Sequence, residues 1–372
     1  MISTELTALE DIEALGRAWR ELEPLSDISF FVSWSWVGPW LQLANSNGKE
    51  LYLYRCRKDD QTIALAVFSR SRIKRRKFFS YEVLALHEVP APGLDMIIEY
   101  NSLLIRRGHE EEIHRRLVPD ISKTSVRWDE IRLSGLSSEV WKQIASNACG
   151  LIPHIEEQRA PWVTDISGVN GDLDTLLAPL SRNRRWQIRR SFKAFQEEGE
   201  LQVSTPDSLQ EALTWFDQMG ELHTARWSRV GEAGSFVNEQ WVKFHKSVIQ
   251  QGFERDEIQL LRITANDHPI GYIYSLVWRH TAYMLQSGFS QEEDNVKRPG
   301  YVSHCLAMQF NSSAQHQHYD FMCGDSEYKR VLAKEAPPLT WGAIQRKSVK
   351  WQLETLLTQT IRRLRQWRPN SR

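Results

Sequence analysis

The chain has 372 residues, with Lys+Arg and Asp+Glu each totalling 47, and with 41% hydrophobic and 25% charged residues. That length is too great for one comfortable core and predicts two domains, while the composition is ordinary for a soluble globular protein. The balanced charge gives no global field to attract nucleic acid, no apolar run approaches the ~20 residues a membrane helix needs, and four scattered cysteines (Cys56, Cys149, Cys305, Cys323) form neither a CxxC pair nor a cluster, so neither zinc nor a disulfide framework is expected.

Met1 to Glu10 lacks a basic segment followed by an apolar one, so no signal peptide is expected, and the isolated cysteines fit a reducing, cytoplasmic location. Ala8 to Leu22 carries Ile12, Leu15, Trp19 and Leu22 at helical spacing. A second helix is expected over Trp34 to Leu43, then strands over Glu50 to Cys56 and Thr62 to Arg70 joined by an Asp59-Asp60 hairpin turn. The basic run Ile73 to Lys77 and the Pro/Gly-containing stretch Glu88 to Leu94 read as loops. Helix (His109 to Val118), strand (Glu130 to Leu133), helix (Ser138 to Asn147) and strand (Leu151 to Glu156) then alternate, which implies an α/β layer. The domain boundary is placed there, giving residues 1–158 and 159–372.

The second half opens with a strand, Trp162 to Ile166, and a basic helix that Ser181 can cap. Arg182, Arg185, Arg189 and Lys193 share one side of that helix: a solvated face, or a clamp for an anionic acceptor or a cofactor phosphate. The longest helix runs from Ser208 to Arg229, with Leu209, Leu213, Phe216 and Gly220 as its stripe and His223 and Trp227 extending it. His223 is therefore either a satisfied core histidine or a general base, since imidazole titrates near neutral pH. A helix capped by Asn238 follows, and then a meander of Ile258 to Thr264, Ile270 to Trp278 and Thr281 to Phe289, turning at Asn266-Asp267 and Arg279-His280. A further strand is expected over Leu339 to Gln345 and a helix over Ser348 to Trp367, with a basic end reaching Arg372.

Between the meander and that last strand lies the stretch with the most chemistry. Lys297-Arg298-Pro299-Gly300 precedes a helix-forming run, Tyr301 to Phe310. The first amides of a helix have no partner within it, so a glycine and two cations at its start favour an anion. A short strand, Tyr319 to Met322, then ends in a turn with Asp325, Tyr328 and Lys329. Group transfer in general needs a base or a neutral nucleophile, donors for an oxygen that gains charge, and an acid for the leaving group. Tyr328 suits the acid, and Asp325 or His223 the base. Lys329 equally suits an ion pair with Asp325, and Asp320 a buried turn.

Arg298-Pro299-Gly300, the helix after it, Asp320 to Asp325 with Tyr328-Lys329, Leu222 to Trp227, and the early Phe30-Phe31 with Trp34, Trp36 and Trp40 together resemble the CelD/BcsL-type acetyltransferases of the GNAT superfamily, similar in architecture to the FemAB transferases. The resemblance spans nearly the whole chain. It departs from the usual GNAT pyrophosphate word, since lysine stands first and Val302 occupies a small-residue position. It implies an α/β (α+β) chain of tandem GNAT-like domains, each a mixed, mostly antiparallel sheet flanked by helices. It also implies acetyl-CoA as co-substrate without a metal, and direct N- or O-transfer to a sugar, polysaccharide precursor or amino-acid-type acceptor. The catalytic residues would be His223, Asp325, Tyr328 and Lys329. The acyl-CoA contacts would be Gln286, Ser287, Lys297, Arg298, Gly300, Tyr301, Val302 and Ser303, because in the resembled fold the last meander strand bonds the pantetheine arm. Arg226, Trp227 and Asp320 would meet the acceptor. A membrane-bound polysaccharide synthase complex is a partner consistent with this resemblance. The alternatives are a FemAB-like aminoacyl transferase using aminoacyl-tRNA, against which the balanced charge argues, and a non-catalytic accessory module of such a complex.

Overall fold

Tight turns between apolar strands set up both sheets. Asp59 and Asp60 take φ of 49° and 64°, and Asn266 and Asp267 take 48° and 64°. Two successive positive φ values match the twist of the flanking strands and close two-residue hairpins. The computed structural model describes residues 2–75, 78–90, 98–351, 353 and 354. Most of the expected C-terminal helix, its basic end, Arg76 and Lys77 of the basic run, and part of the Glu88 to Leu94 loop lie outside the described residues.

In chain order the strands and helices are β1 (Ile2–Ala8), α1 (Ile12–Leu22), α2 (Trp34–Ser46), β2 (Glu50–Lys58), β3 (Gln61–Arg75), β4 (Phe79–Leu86), β5 (Leu104–Ile105), α3 (Glu110–Ser122), β6 (Glu130–Ser137), α4 (Ser138–Ser146) and β7 (Ile152–Arg159). There follow β8 (Trp162–Asp165), α5 (Leu173–Leu177), α6 (Arg182–Gln196), β9 (Leu201–Ser204), α7 (Leu209–Arg229), α8 (Glu239–Gly252), β10 (Ile258–Ala265), β11 (His268–Trp278), β12 (Thr281–Phe289), α9 (Pro299–Ser313), β13 (His318–Asp320), α10 (Glu327–Leu332), β14 (Lys334–Glu335) and β15 (Leu339–Gln345). The expected Ile73 to Lys77 loop is corrected in part: β3 carries the chain through Arg75, paired to β4.

By packing the chain forms two units. Among the described residues, one comprises those within 2–28, 41–158 and 340–354, the other residues 29–40 and 159–339. The first unit's sheet has the order β1-β2-β3-β4-β6-β15-β7, with β5 beside β3. The second has β14-β8-β13-β12-β11-β10-β9. Each is a mixed, mostly antiparallel sheet flanked by helices, so the architecture is α/β in the α+β sense. In each, a four-stranded antiparallel run meets a parallel neighbour: β4 with β6 over Val83 to Ala85, and β12 with β13 over Thr281 to Tyr283. The early aromatic word belongs to the second unit's packing. Phe30 lies edge-on to Trp278, Phe31 to Tyr283 and Trp36 to Phe244.

Two features of the second unit position its site. Pairing of β12 with β11 slips between Tyr274 and Ser275, so Leu285 is the extra residue of a bulge, and a bulge bends its strand. From Met284 onward β12 has no bridge to the chain after β13 among the described residues. Meanwhile α7 crosses β12 closely. A Cβ on Gly288 would lie 2.3 Å from the Met219 carbonyl oxygen, so only glycine fits at that crossing. Ala212, Phe216, Met219 and His223 form the buried side of α7. No described helix is long and apolar enough to cross a membrane.

Candidate functional site

Where β12 leaves β13, a cavity of about 660 Å³ opens within the second unit, a size common for ligand sites. Its wall is built from α6 (Arg184, Gln187), the end of α7 (Arg226, Arg229, Val230), residues 289–292, the start of α9 (Arg298 to Tyr301) and residues 326–328. Four arginines and two carboxylates, Glu292 and Glu327, line it. The cavity is therefore cationic although the chain as a whole is neutral.

Local sequence explains the cationic wall. Ser181 caps α6, accepting from the Arg184 N–H at 3.4 Å. From there Arg184, Gln187 and Ser191 follow at helical spacing on one face. Gln187 Oε1 accepts from the guanidinium of Arg184 (3.3 Å) and from that of Arg298 (3.4 Å), holding two cations together. Ser191 Oγ accepts from the Arg298 N–H at 2.8 Å, which pins the start of α9 to α6. Arg184 also pairs with Glu327 at 3.0 Å. Pro299 has no N–H to satisfy, which suits the first helical position. The amides of Tyr301 and Val302 reach back to the Arg298 carbonyl at 3.1 and 3.2 Å. The Gly300 amide has no acceptor among the described residues, and a Cβ there would sit 3.3 Å from the Phe289 ring.

Tyr328 reaches the cavity from α10. Its ring stacks on His304 at 4.8 Å and 15° and lies edge-on to Phe321. Burial raises its phenol, against smaller opposing pulls from the Ser326 hydroxyl and the Arg226 guanidinium, so it holds its proton at neutral pH. His304 beneath it is fully buried, with Nδ1 3.4 Å from the Tyr319 hydroxyl. Burial drives its pKa down to about 3, with Lys329 and Arg226 acting in the same direction, so this imidazole is neutral.

The structure brings Arg226, Arg298, Gly300, Tyr301 and Tyr328 to the cavity wall. The other residues expected at a site are placed elsewhere, each with a partner or a packing role. His223 is buried, Nδ1 donating to the Ser287 carbonyl (3.3 Å) and Nε2 accepting from the Ser235 N–H (3.4 Å). Burial lowers its pKa, so it joins α7 to β12 as a neutral ring. Asp325 is exposed in a two-pronged pair with Arg330 (2.5 and 2.6 Å). The Arg330 hydrogen bond holds its carboxyl below the usual range. Lys329 is buried and donates to the carbonyls of Met322 (3.2 Å) and Cys323 (2.6 Å), closing the turn after β13. Asp320 is buried in the same turn, accepting from the Met322 N–H at 2.7 Å.

On β12, the Gln286 side chain takes the Ser287 N–H at 3.1 Å. Both main-chain groups of Ser287 are thus engaged by protein side chains. Lys297 pairs with Glu198 and lies over the Phe195 ring. Val302 is fully buried in the core, and Ser303 is buried against Gly271, whose added Cβ would lie 2.5 Å from the Ser303 hydroxyl. Trp227 sits beside the His223 ring. The basic face expected on α6 is turned to other work. Arg185 bonds the carbonyls of Ala178 and Leu180, Arg189 pairs with Asp174, and Lys193 lies near Glu197. Arg184, Gln187, Arg229, Phe289 and His304 were not singled out by sequence reasoning. The spacing of 184, 187 and 191 was the available signal for the first two.

Residues 182–330 match the family model described as the acetyltransferase (GNAT) domain. A search of curated proteins returns no match. Among solved structures, this chain is similar to FemX at 12% identity and a TM-score of 0.58, covering 95% of this chain and 99% of that one. It is similar to a conserved protein of unknown function from Bacteroides thetaiotaomicron VPI-5482 at 13% identity and 0.54, covering 93% and 100%. It is also similar to the C-terminal domain of a putative lysylphosphatidylglycerol synthetase from Agrobacterium fabrum at 8% identity and 0.50, covering 93% and 96%. Residues 182–330 are therefore similar to a GNAT-type acetyltransferase domain, and the solved structures share the fold of the whole chain.

Proposed function

We propose that the second unit transfers an acyl group, with acetyl-CoA as the first donor to test, to an amine or hydroxyl. The observation that carries this is the cationic cavity where the start of α9 and the protonated phenol of Tyr328 share one wall. Arg184 and Arg298, held together by Gln187, would take the donor's diphosphate with the Gly300 amide beside them. The acceptor's lone pair attacks the thioester carbonyl, the C–S bond breaks, and the departing thiolate takes the Tyr328 proton. The acceptor's proton leaves to water or to the Glu292 carboxylate, and solvent reprotonates Tyr328. Asp325 and His223 are not needed as bases, since one is ion-paired outside the cavity and both nitrogens of the other have partners. The short words that resemble the CelD/BcsL type point to a saccharide-type acceptor.

Thermal-shift measurements with CoA, acetyl-CoA and longer acyl-CoAs test this, because a ligand of the native state raises the melting temperature. CoA should stabilise the protein, and a Gly300→Glu variant should lose most of that shift. A folded protein that responds to no CoA species defeats the reading.

A further inference from the structure

The four arginines of the cavity fall into two sets. Arg184 and Arg298 are tied to Gln187, and Arg184 also to Glu327. Arg226 and Arg229, one helical turn apart at the end of α7, have no ion-pair or hydrogen-bond partner among the described residues, yet both line the cavity. The helix dipole favours cations in a last turn, but it does not account for two of them facing a cavity. The carboxylates nearby do not answer them: Glu327 pairs with Arg184, and Glu292 accepts from the Ser290 hydroxyl at 2.6 Å. Arg226 and Arg229 stand on α7, whereas Arg184 stands on α6 and Arg298 at the start of α9, so the two sets belong to different parts of the wall. With the donor's diphosphate assigned to the first set, the second is left for an anionic group of another ligand.

We infer that Arg226 and Arg229 form a second anion subsite, and that the acceptor of acyl transfer carries a phosphate or carboxylate bound there. Two guanidinium forks can share the oxygens of one such group. This anchors the acceptor by a group other than the nucleophile, leaving the amine or hydroxyl free to approach the thioester. The inference rests on the donor reading above for the identity of the other half of the cavity.

The test uses the full chain saturated with CoA. Inorganic phosphate or acetate is added in place of chloride at constant ionic strength, and the melting temperature is followed. One of the two anions should raise it further. In an Arg226→Gln/Arg229→Gln double variant that extra rise should vanish while the shift from CoA stays, and 3′-dephospho-CoA should stabilise the variant as well as it does the native chain. The anion that acts identifies phosphate or carboxylate as the acceptor's group. No added stabilisation from either anion overturns the inference, as does a rise that the double variant keeps. A CoA shift that falls in the double variant to the level 3′-dephospho-CoA gives in both chains also overturns it, since these arginines would then read the donor's ribose phosphate. Should CoA fail to bind the native chain, the donor reading falls separately. The anion titration is then made without CoA on an Arg184→Gln/Arg298→Gln variant, where a response sustains the second subsite and silence overturns it.

Discussion

Both units build the same crevice and treat it in opposite ways. In each, a parallel pair of strands separates: β4 from β6 past Ala85, and β12 from β13 past Tyr283. In the first unit the gap is filled by Asn101. Its N–H reaches the Gly135 carbonyl at 3.0 Å, and Nδ2 donates to Leu86 O on one strand (3.1 Å) and Ser134 O on the other (3.0 Å). Ser134 Oγ adds a 2.7 Å bond to Glu88. Gly135 takes φ +69° with the Ile98 carbonyl oxygen 2.4 Å from where a Cβ would be, so the plugging segment lies hard against the strand. In the second unit the same divergence leads to the arginine-lined cavity and Tyr328. A sheet that splays exposes backbone groups which must find partners. The first unit closes the gap with Asn101, whereas in the second His223 and Gln286 take the main-chain groups of Ser287 and a space that a ligand can fill remains beyond them.

The sharpest way to break this comparison is to disable the open crevice alone. Tyr328→Phe keeps the ring stacked on His304 and removes the proton donor. Loss of a positioned general acid costs roughly 10²–10⁴-fold in turnover, so acyl transfer should fall by that much while the melting temperature and CoA binding change little. Retained turnover would mean that the phenol is not the acid, or that the first unit's crevice reacts after all.

The next effect is on the plug. Asn101→Leu keeps the volume and strips partners from Leu86 O, Ser134 O and the His87 ring, whose Nδ1 lies 3.0 Å from Asn101 Oδ1. Buried polar groups left without partners cost about 1–3 kcal/mol each, and relaxation recovers part of that. A loss of roughly 3 kcal/mol is expected in the first unit, read by hydrogen exchange of β4 and β6, with exchange in β12 unchanged. Equal loosening of both sheets would show that the plug is not a local feature.

What the sequence disclosed follows from how far each feature reaches along the chain. The hairpins at Asp59-Asp60 and Asn266-Asp267 and the caps Ser181 and Asn238 depend on residues within a few positions, and each is found as expected. The cationic wall needed a choice between two faces of α6. The charge pattern favours Arg182, Arg185, Arg189 and Lys193, whereas packing of Ile188, Phe192 and Phe195 turns Arg184 and Gln187 to the cavity. Asp325 looked like a base because its partner, Arg330, lies just beyond the stretch that drew attention. The plug was illegible, because Asn101 bridges Leu86 and Ser134, far apart in sequence, and no local signal marks such a contact. The edge strands β1 and β9 escaped because each has few apolar residues (Ile2, Leu6 and Ala8; Leu201 and Val203), too few for their alternation to stand out.

Acid sharpens the comparison further. Burial lowers His87, beside the plug, to about 4, and lowers His245 and His304 of the second unit to about 3. Below pH 6.5 the unfolded chain binds a proton at each of these positions that the folded chain refuses. Stability is therefore present above that pH and is lost as pH falls through the window from 6.5 to about 4 for His87. One such group contributes a slope of up to about 1.4 kcal/mol per pH unit. His87→Gln should flatten the acid loss measured in the first unit by that amount and leave the second unit's unchanged. An unaltered slope in the first unit would show that His87 takes up its proton without unfolding.

The smallest effect is expected from Asp325, the residue whose sequence position most suggests chemistry. Its carboxylate is exposed and paired with Arg330 five residues on, and it does not line the cavity. Exposed ion pairs are weak because water and salt screen them. Asp325→Asn should leave kcat/KM within about twofold and the pH profile of turnover unmoved, since a change below that size is what loss of a remote surface charge produces. A general base would behave differently: its removal would abolish the acidic limb of the profile and cost at least about a hundredfold. The same measurement on Glu292→Gln gives the contrast. Glu292 lines the cavity, and its loss should move the acidic limb if it receives the acceptor's proton. If neither variant moves that limb, the amine arrives neutral and water carries the proton away, which is the chemistry a crevice lined by two phenols and no imidazole among the described residues would support.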